Sequence, residues 1–504
     1  MKKSPLLAGL QQFGAQVLGL VLAIGISILL AARLGAGLES DAFLFARRLA
    51  TGLTEILGQV LAFFFVPLLV SRLRQAPDRF SGAFFQFGSR VFAAGIVFFV
   101  AIFAASGPIA NLLLPDMAAE TQARATLYLR IFAASLPAVL IALYFSATLN
   151  MVGSFGGPVL LRQLPRVAIF FVLIFAAGSV AMSASIAFTL TWLVVASLIG
   201  IWALRIVGRQ ALSGGLSAQE ETQGSGAGTF GTAVLIVGLG GQATLWMETF
   251  YAASVGTGQL TILEFAQRLG GLLGSTLSSA LILPLFSLWI LRPETRSFGS
   301  ISRYALTAFA LLVLIQGFLV INAAELFELL YGYGAFTDAA RGDLLATIQV
   351  LAIAPFSILV MRMAFVWHMT SARRFRLLEA GVVVFLDLLV RWICIALFID
   401  TLGLRAIALG MIVAPLVMTI CLTLFAVSWS DLRDAGIGAQ KRLPLVAAFT
   451  ALALFFGHEV AVLATGPHDG VIALLLICGL SGLAGLVVML GSWKALRVPL
   501  RPKD

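Results

Sequence analysis

The chain has 504 residues, 60% of them hydrophobic and only 11% charged, with a mean hydropathy of +1.03. A soluble domain is about 45–50% apolar and about 25% charged, so the composition excludes a soluble globular enzyme, a disordered chain and a collagen-like one. Three cysteines in apolar runs (Cys394, Cys421, Cys478), with no CxxC pair, exclude a disulfide scaffold, and the formal charge of +10 sits mostly in short loops between apolar runs, which points to a membrane rather than to nucleic acid.

Lys2 and Lys3 precede a first apolar stretch, Gln16 to Ala32. It is longer than the h-region of a signal peptide and no A-x-A site follows, so it reads as a retained span. A helix needs about 20 apolar residues to cross a bilayer. Runs of that kind begin near residues 10, 41, 83, 126, 158, 184, 229, 257, 303, 344, 377, 403, 443 and 470. The expected fold is therefore an all-α integral membrane protein of about fourteen transmembrane helices. A β-barrel would show short alternating segments instead.

Charge orients the bundle. Every second connection, together with both ends of the chain, is rich in Lys and Arg, as at Arg72/Arg74, Arg205/Arg209 and Arg373/Arg374. The intervening connections carry Asp116/Glu120, Glu325/Glu328 and Glu459/Asp469. The positive-inside rule then predicts cytoplasmic N- and C-termini.

An internal repeat divides the chain. Phe45-Ala46-Arg47-Arg48-Leu49 matches Phe265-Ala266-Gln267-Arg268-Leu269, and Val66-Pro67-Leu68 matches Leu283-Pro284-Leu285. Ser89-Arg90 matches Ser302-Arg303, and Pro137 matches Pro355, all at an offset between about 213 and 220 residues. Six spans separate the copies, so both have the same orientation, which is a parallel repeat. The expected organisation is an N-terminal lobe over 1–208, a polar cytoplasmic linker over 209–228, a C-terminal lobe over 229–430, and a helix pair with a basic tail over 431–504. The two six-helix lobes would flank a central cavity.

Ionisable groups in the spans are the functional candidates, because each costs at least about 2.5–3.5 kcal/mol at mid-membrane unless it faces protein or water. The second span holds Asp41, Arg47, Arg48 and Glu55, and the eighth holds Glu264 and Arg268 one turn apart. Arg48 and Arg268 occupy matching repeat positions. Glu248 reads either as a coupling-ion site or as a partner for an arginine, and Glu55 is the other ion candidate. Glu264 and Arg268 also read as a self-neutralising pair, as do Asp387 and Arg391. Arg90, Arg162 and Glu379 lie near cytoplasmic ends, where side chains snorkel. Arg130, Arg166, Arg362 and Arg391 raise the count of arginine above that of acid, which suits an anionic head group, since the guanidinium fork binds oxyanions bidentately.

Other chemistry finds no support. Gly238-Leu239-Gly240-Gly241-Gln242-Ala243 follows a strand-like run, but no βαβ unit surrounds it. His368, His458 and His468 are dispersed. No cofactor, no metal and no catalysis are expected.

Several segments carry a resemblance to a family. Gly35-Ala36-Gly37-Leu38-Glu39-Ser40-Asp41-Ala42-Phe43 resembles G-A-G-x-x-x-D-A-F, and Tyr331-Gly332-Tyr333-Gly334-Ala335-Phe336-Thr337 resembles Y-G-x-G-x-F-T. With Phe65-Val66-Pro67-Leu68, Ala147-Thr148-Leu149-Asn150 and Ala266-Gln267-Arg268-Leu269, they resemble, in order, the MurJ/MviN lipid II flippases of the multidrug/oligosaccharidyl-lipid/polysaccharide exporter superfamily. The resemblance implies translocation of an undecaprenyl-diphosphate-linked peptidoglycan precursor across the bacterial inner membrane by alternating access, driven by an ion gradient or the membrane potential. It implies functional roles for Asp41 and Arg268 and a basic role for Arg48. It also exposes departures. The family's first span reads roughly F-S-R-V-L-G-x-x-R-D, whereas Phe13 to Gly19 here has Gln16 at the first Arg, and no charge occurs between Lys3 and Arg33. Arg47, Arg130 and Arg362 are the other arginines placed to substitute. A paralogue for another polyprenyl-linked glycan, a cation-coupled drug exporter using Glu55, Glu248 or Glu264, and a non-transporting scaffold are the competing expectations.

Overall fold

The computed structural model describes residues 5–61, 80–151, 156–213, 227–270, 298–332, 337–369 and 377–426, with scattered positions between 452 and 483. Every regular element among the described residues is helical. In chain order these are α1 (Pro5–Leu34), α2 (Leu38–Val60), α3 (Phe80–Leu113), α4 (Ala119–Ala133), α5 (Leu136–Met151), α6 (Gly156–Leu161), α7 (Leu164–Phe175), α8 (Val180–Ser213) and α9 (Ala227–Val255). There follow α10 (259–270), α11 (Phe298–Ile321), α12 (Ala323–Tyr331), α13 (Asp338–Leu351), α14 (Ala354–Met369), α15 (Leu377–Leu402) and α16 (Leu404–Ala426).

The first twelve expected spans each begin on or beside one of these helices or a broken pair, the eighth being described only over 259–270. Most of the last two, and the 209–228 linker apart from its first and last few residues, lie outside the described residues. Among the described residues seven helices are long and apolar enough to cross a membrane. Helices α11 and α12 form an eighth candidate, bent by 68° at Asn322. Helix α2 falls outside that group because Glu39, Asp41, Arg47, Arg48 and Glu55 crowd its 23 residues. The glycine-rich run around Gly238–Gly241 lies inside α9, with no strand before it.

Two breaks recur at matching repeat positions. Helix α4 stops at Ala133 and α5 resumes at Leu136, with Pro137 in its first turn. Helix α13 stops at Leu351 and α14 resumes at Ala354, with Pro355 in its first turn. Proline lacks the N–H a continuous helix would need, but is tolerated in a first turn, where that N–H has no partner anyway.

Two compact units divide the chain. The first comprises 1–261 with 376–381, and the second 262–375 with 382–504. The division falls at Thr261, later than the 209–228 linker expected to part the lobes, because α9 packs along α2 and also meets α3. Within the first unit, Leu57, Phe84, Leu140 and Tyr144 form a buried cluster, and the Tyr144 hydroxyl donates to the Phe84 carbonyl at 2.7 Å. Helices α3 and α5 approach so closely that a Cβ on Gly95 would stand 2.7 Å from Cα of Pro137. The outer face of α3 exposes Phe85, Val97, Val100 and Leu112 at 56–70%. Such a stripe suits hydrocarbon, where apolar side chains need no partner.

Within the second unit, a polar joint sits at the α11–α12 bend. Asn322 is fully buried, and its side-chain oxygen accepts from the Ser481 hydroxyl at 2.9 Å. The ring of His458 meets the Glu325 carboxylate at 3.1 Å. His458 and Ser481 are thereby joined to the bend by polar contacts.

Candidate functional site

The corner between α1 and α2 is built from Gly35-Ala36-Gly37. Gly35 takes φ of +61°, the left-handed region that costs a side-chain-bearing residue about 1–2 kcal/mol. Gly37 then caps α2, and the Ser40 hydroxyl both accepts from the Gly37 N–H and donates to its carbonyl, at 2.9 Å each. A second corner, Gly256-Thr257-Gly258, stands between α9 and α10 at the matching repeat position, and Gly258 has φ of +86°.

Asp41 joins these corners. It is fully buried, and its carboxylate accepts from the Gly258 N–H at 2.5 Å, the Thr261 N–H at 2.9 Å and the Thr261 hydroxyl at 2.6 Å. Those are amides that the start of a helix cannot satisfy internally. Asp41 therefore caps α10 from another helix, and its negative charge sits at the favourable end of the α10 dipole. A Cβ on Gly258 would approach the Ala36 carbonyl oxygen to 3.1 Å, so the glycine permits the close approach as well as the positive φ.

About two turns further along α2, Arg48 meets Glu248 of α9 at 2.9 Å, with both side chains only 5% exposed. Gly52 lies against Gln242 further along, so α2 and α9 run antiparallel. Two of the ionisable candidates in the first unit are thus partners. Desolvating two ions costs several kcal/mol each, recovered only when geometry is good. Arg47, on the next position of α2, is half-buried with its guanidinium 5.9 Å from the Phe43 ring centroid. The backbone of Glu55 belongs to α2, but its side chain lies outside the described residues. An apolar cavity of about 200 Å³ opens beside this region, lined by residues such as Leu49, Leu53, Leu113, Leu136 and Trp246.

In the second unit, Arg268 meets Glu264 at 2.9 Å across one turn of α10, with side chains 12% and 16% exposed. Arg48 and Arg268 hold the same repeat position, and each is engaged by a carboxylate. The sources differ: Arg48 reaches a different helix, Arg268 its own. Asp387 and Arg391 likewise pair within α15 at 3.2 Å. Arg130 is exposed, donates to the Ser106 hydroxyl at 2.9 Å and lies 5.1 Å from the Phe103 ring. Arg90 is exposed near the start of α3, and Arg362 lies half-buried in α14. Among the described residues no group of three His, Cys, Asp or Glu could hold a metal ion.

Comparison with known proteins agrees with this architecture. The family model for the lipid II flippase MurJ matches residues 30–467. A structure of the lipid II flippase MurJ in an inward closed conformation superposes with a TM-score of 0.73 at 16% identity, covering 96% of this chain and 99% of that one. An inward-facing multidrug resistance MATE family transporter of the MOP superfamily superposes at 0.62, with 14% identity over 84% of this chain and 95% of its own. An outward-facing MATE transporter superposes at 0.52, with 16% identity over 87% of this chain and 97% of its own. No curated protein sequence matches. The fold is that of a multi-pass membrane transporter, and with the family model spanning most of its length the chain belongs to the MurJ lipid II flippase family.

Proposed function

We propose that the chain translocates a polyprenyl-diphosphate-linked glycan, lipid II in the first instance, across the bacterial inner membrane, with both termini cytoplasmic. The family match over residues 30–467 carries this reading. The site chemistry is consistent with it. Arg48 and Arg268 each stand in a span already paired with one carboxylate. A diphosphate offers several oxyanion atoms to a guanidinium fork and competes with a single carboxylate for it. Asp41 serves as a positioning residue, holding the first turn of α10, the helix that carries Arg268. Alternating access is supported by the existence of the same fold in inward- and outward-facing forms. Protonation or release of Glu248 would free Arg48, which makes that carboxylate the candidate for coupling to an ion gradient or the membrane potential.

A second reading, a paralogue for a different polyprenyl-linked glycan, is favoured by one observation: α1 carries no charge between its start at Pro5 and Arg33. Complementation distinguishes the two. Expressed as the sole copy in a bacterium depleted of its lipid II flippase, the chain should restore growth and wall synthesis. Failure with the protein present in the membrane would reject lipid II, and lipid-binding mass spectrometry against other polyprenyl-diphosphate glycans would then decide the substrate.

A further inference from the structure

Arg162 lies in the break between α6 and α7 and Arg166 in the first turn of α7, inside the span Gly157–Phe175. Arg166 is exposed and lies nine residues past Gly157, about 13 Å along the span at 1.5 Å per residue. Its guanidinium reaches the Gln163 side chain at 2.8 Å and the Gly19 carbonyl of α1 at 3.5 Å. Arg162, one turn earlier, is half-buried, and its Nε is enclosed with no hydrogen-bond partner among the described residues. A Cβ on Gly19 would stand 2.7 Å from the Arg166 guanidinium, so this stretch of α1 leaves the room that the charged group occupies.

The interface lies close by. Trp202 of α8 packs over Gly157, and the exposed Arg205 follows one turn on. Tryptophan and basic residues mark the cytoplasmic head-group level. Arg162 and Arg166 therefore sit one to three turns deeper than that level. Two like charges there repel each other, and α1, α5 and α8, the helices packed on α6 and α7, contain no Asp or Glu, nor do α6 and α7 themselves.

We infer that Arg162 and Arg166, in the groove between α1 and α7, bind the phosphate oxyanion of a membrane lipid. Basic pockets between transmembrane helices near the cytoplasmic face take such head groups, and two guanidinium forks one turn apart suit a phosphate or diphosphate. The lipid chains would lie along the exposed apolar face of α7, where Phe171 and Phe175 stack and are 52% and 76% exposed. Two sources share the chemistry: an anionic phospholipid and the polyprenyl diphosphate of a transported precursor. The inference does not depend on which substrate the protein moves, and a failed complementation leaves it standing.

Native mass spectrometry of the full-length protein in detergent tests it, with phosphatidylglycerol, undecaprenyl diphosphate and, as a phosphate-free control, dioleoylglycerol as probes. In Arg166→Gln and in the double variant Arg162→Gln/Arg166→Gln, retention of at least one phosphate-bearing probe should fall at least tenfold, while dioleoylglycerol retention stays unchanged. A fall confined to phosphatidylglycerol assigns a phospholipid site, and a fall confined to undecaprenyl diphosphate assigns a station for the carrier lipid. Arg166→Lys, which keeps charge without the fork, should fall between. Arg166 is exposed, so its single variant decides the matter even if the double variant does not fold. Unchanged retention of both phosphate-bearing probes, or an equal loss of dioleoylglycerol, overturns the inference.

Discussion

Arg48 and Glu248 are 200 positions apart in sequence and 2.9 Å apart in space, each almost wholly removed from solvent. Removing one partner of such a pair leaves the other charge buried, at a cost of about 3–5 kcal/mol. Arg48→Ala and Glu248→Ala should each lower the thermal midpoint of the purified protein by several degrees. The exchange Arg48→Glu/Glu248→Arg should recover part of that loss, and a double variant no more stable than the singles would show that the pair contributes nothing.

Arg268 offers the contrast. Its partner Glu264 is one turn away on the same helix, and the pair is slightly more exposed, at 12% and 16%. Arg268→Ala should therefore lower the thermal midpoint less than Arg48→Ala does and yet reduce complementation at least tenfold. A variant that grows normally would remove Arg268 from the transport machinery.

Asp41 is read as a cap. Replacing an N-cap side chain costs about 0.5–2 kcal/mol, so Asp41→Ala should destabilise by that order, and Asp41→Asn, which keeps an acceptor oxygen, should cost less. Hydrogen exchange of the first turn of α10 is the direct readout: it should quicken in Asp41→Ala. Protection unchanged there would contradict the cap.

Gly258 is subject to two constraints at once, a positive φ and the nearby Ala36 carbonyl. Gly258→Ala should cost about 1–3 kcal/mol from backbone strain. Because the affected amides are the ones Asp41 holds, combining Gly258→Ala with Asp41→Ala should cost less than the sum of the two, measured by denaturation of the detergent-solubilised chain.

At the α11–α12 bend, Asn322→Leu removes the shorter acceptor of the Ser481 hydroxyl and leaves it the Cys478 carbonyl at 3.2 Å, a loss of about 0.5–1.5 kcal/mol. Limited proteolysis should then cut within residues 452–483 faster than in the parent chain. Equal rates would mean that this hydrogen bond does not hold the segment.

Much of the helical architecture is legible in the sequence because hydrocarbon imposes a simple rule on length: an apolar run must be long enough to cross it. The repeat is legible too, since Phe45–Leu49 and Phe265–Leu269 are nearly spelled alike. Pro137 and Pro355 are visible as a matched pair, and the breaks just before them follow from the missing N–H. Pairings are a different matter. Nothing in the spacing of Arg48 and Glu248 encodes their contact, which depends on how α9 lies on α2. Asp41 stands out as an acid in an apolar run, but its partners are mainly backbone amides, and these leave no mark in a sequence. Arg162 reads as a snorkelling side chain until the glycine of α1 and the neighbouring Arg166 are seen beside it. Glu55 reads as an ion candidate in the second span, and its side chain falls outside the described residues.

The contact between Gly95 and Pro137 brings main chain against main chain. No rotamer change can relieve a methyl group added there, so mutational drift at position 95 should be nearly closed. The outward stripe of α3 is largely exposed and suits hydrocarbon, so Val97 or Leu112 should exchange with any apolar residue of similar bulk at little cost. Divergence among chains of this fold should therefore be spent on the lipid-facing stripes, while a few small residues and prolines at backbone crossings hold the helices in place. That division of constraint explains how the architecture outlasts most of its sequence.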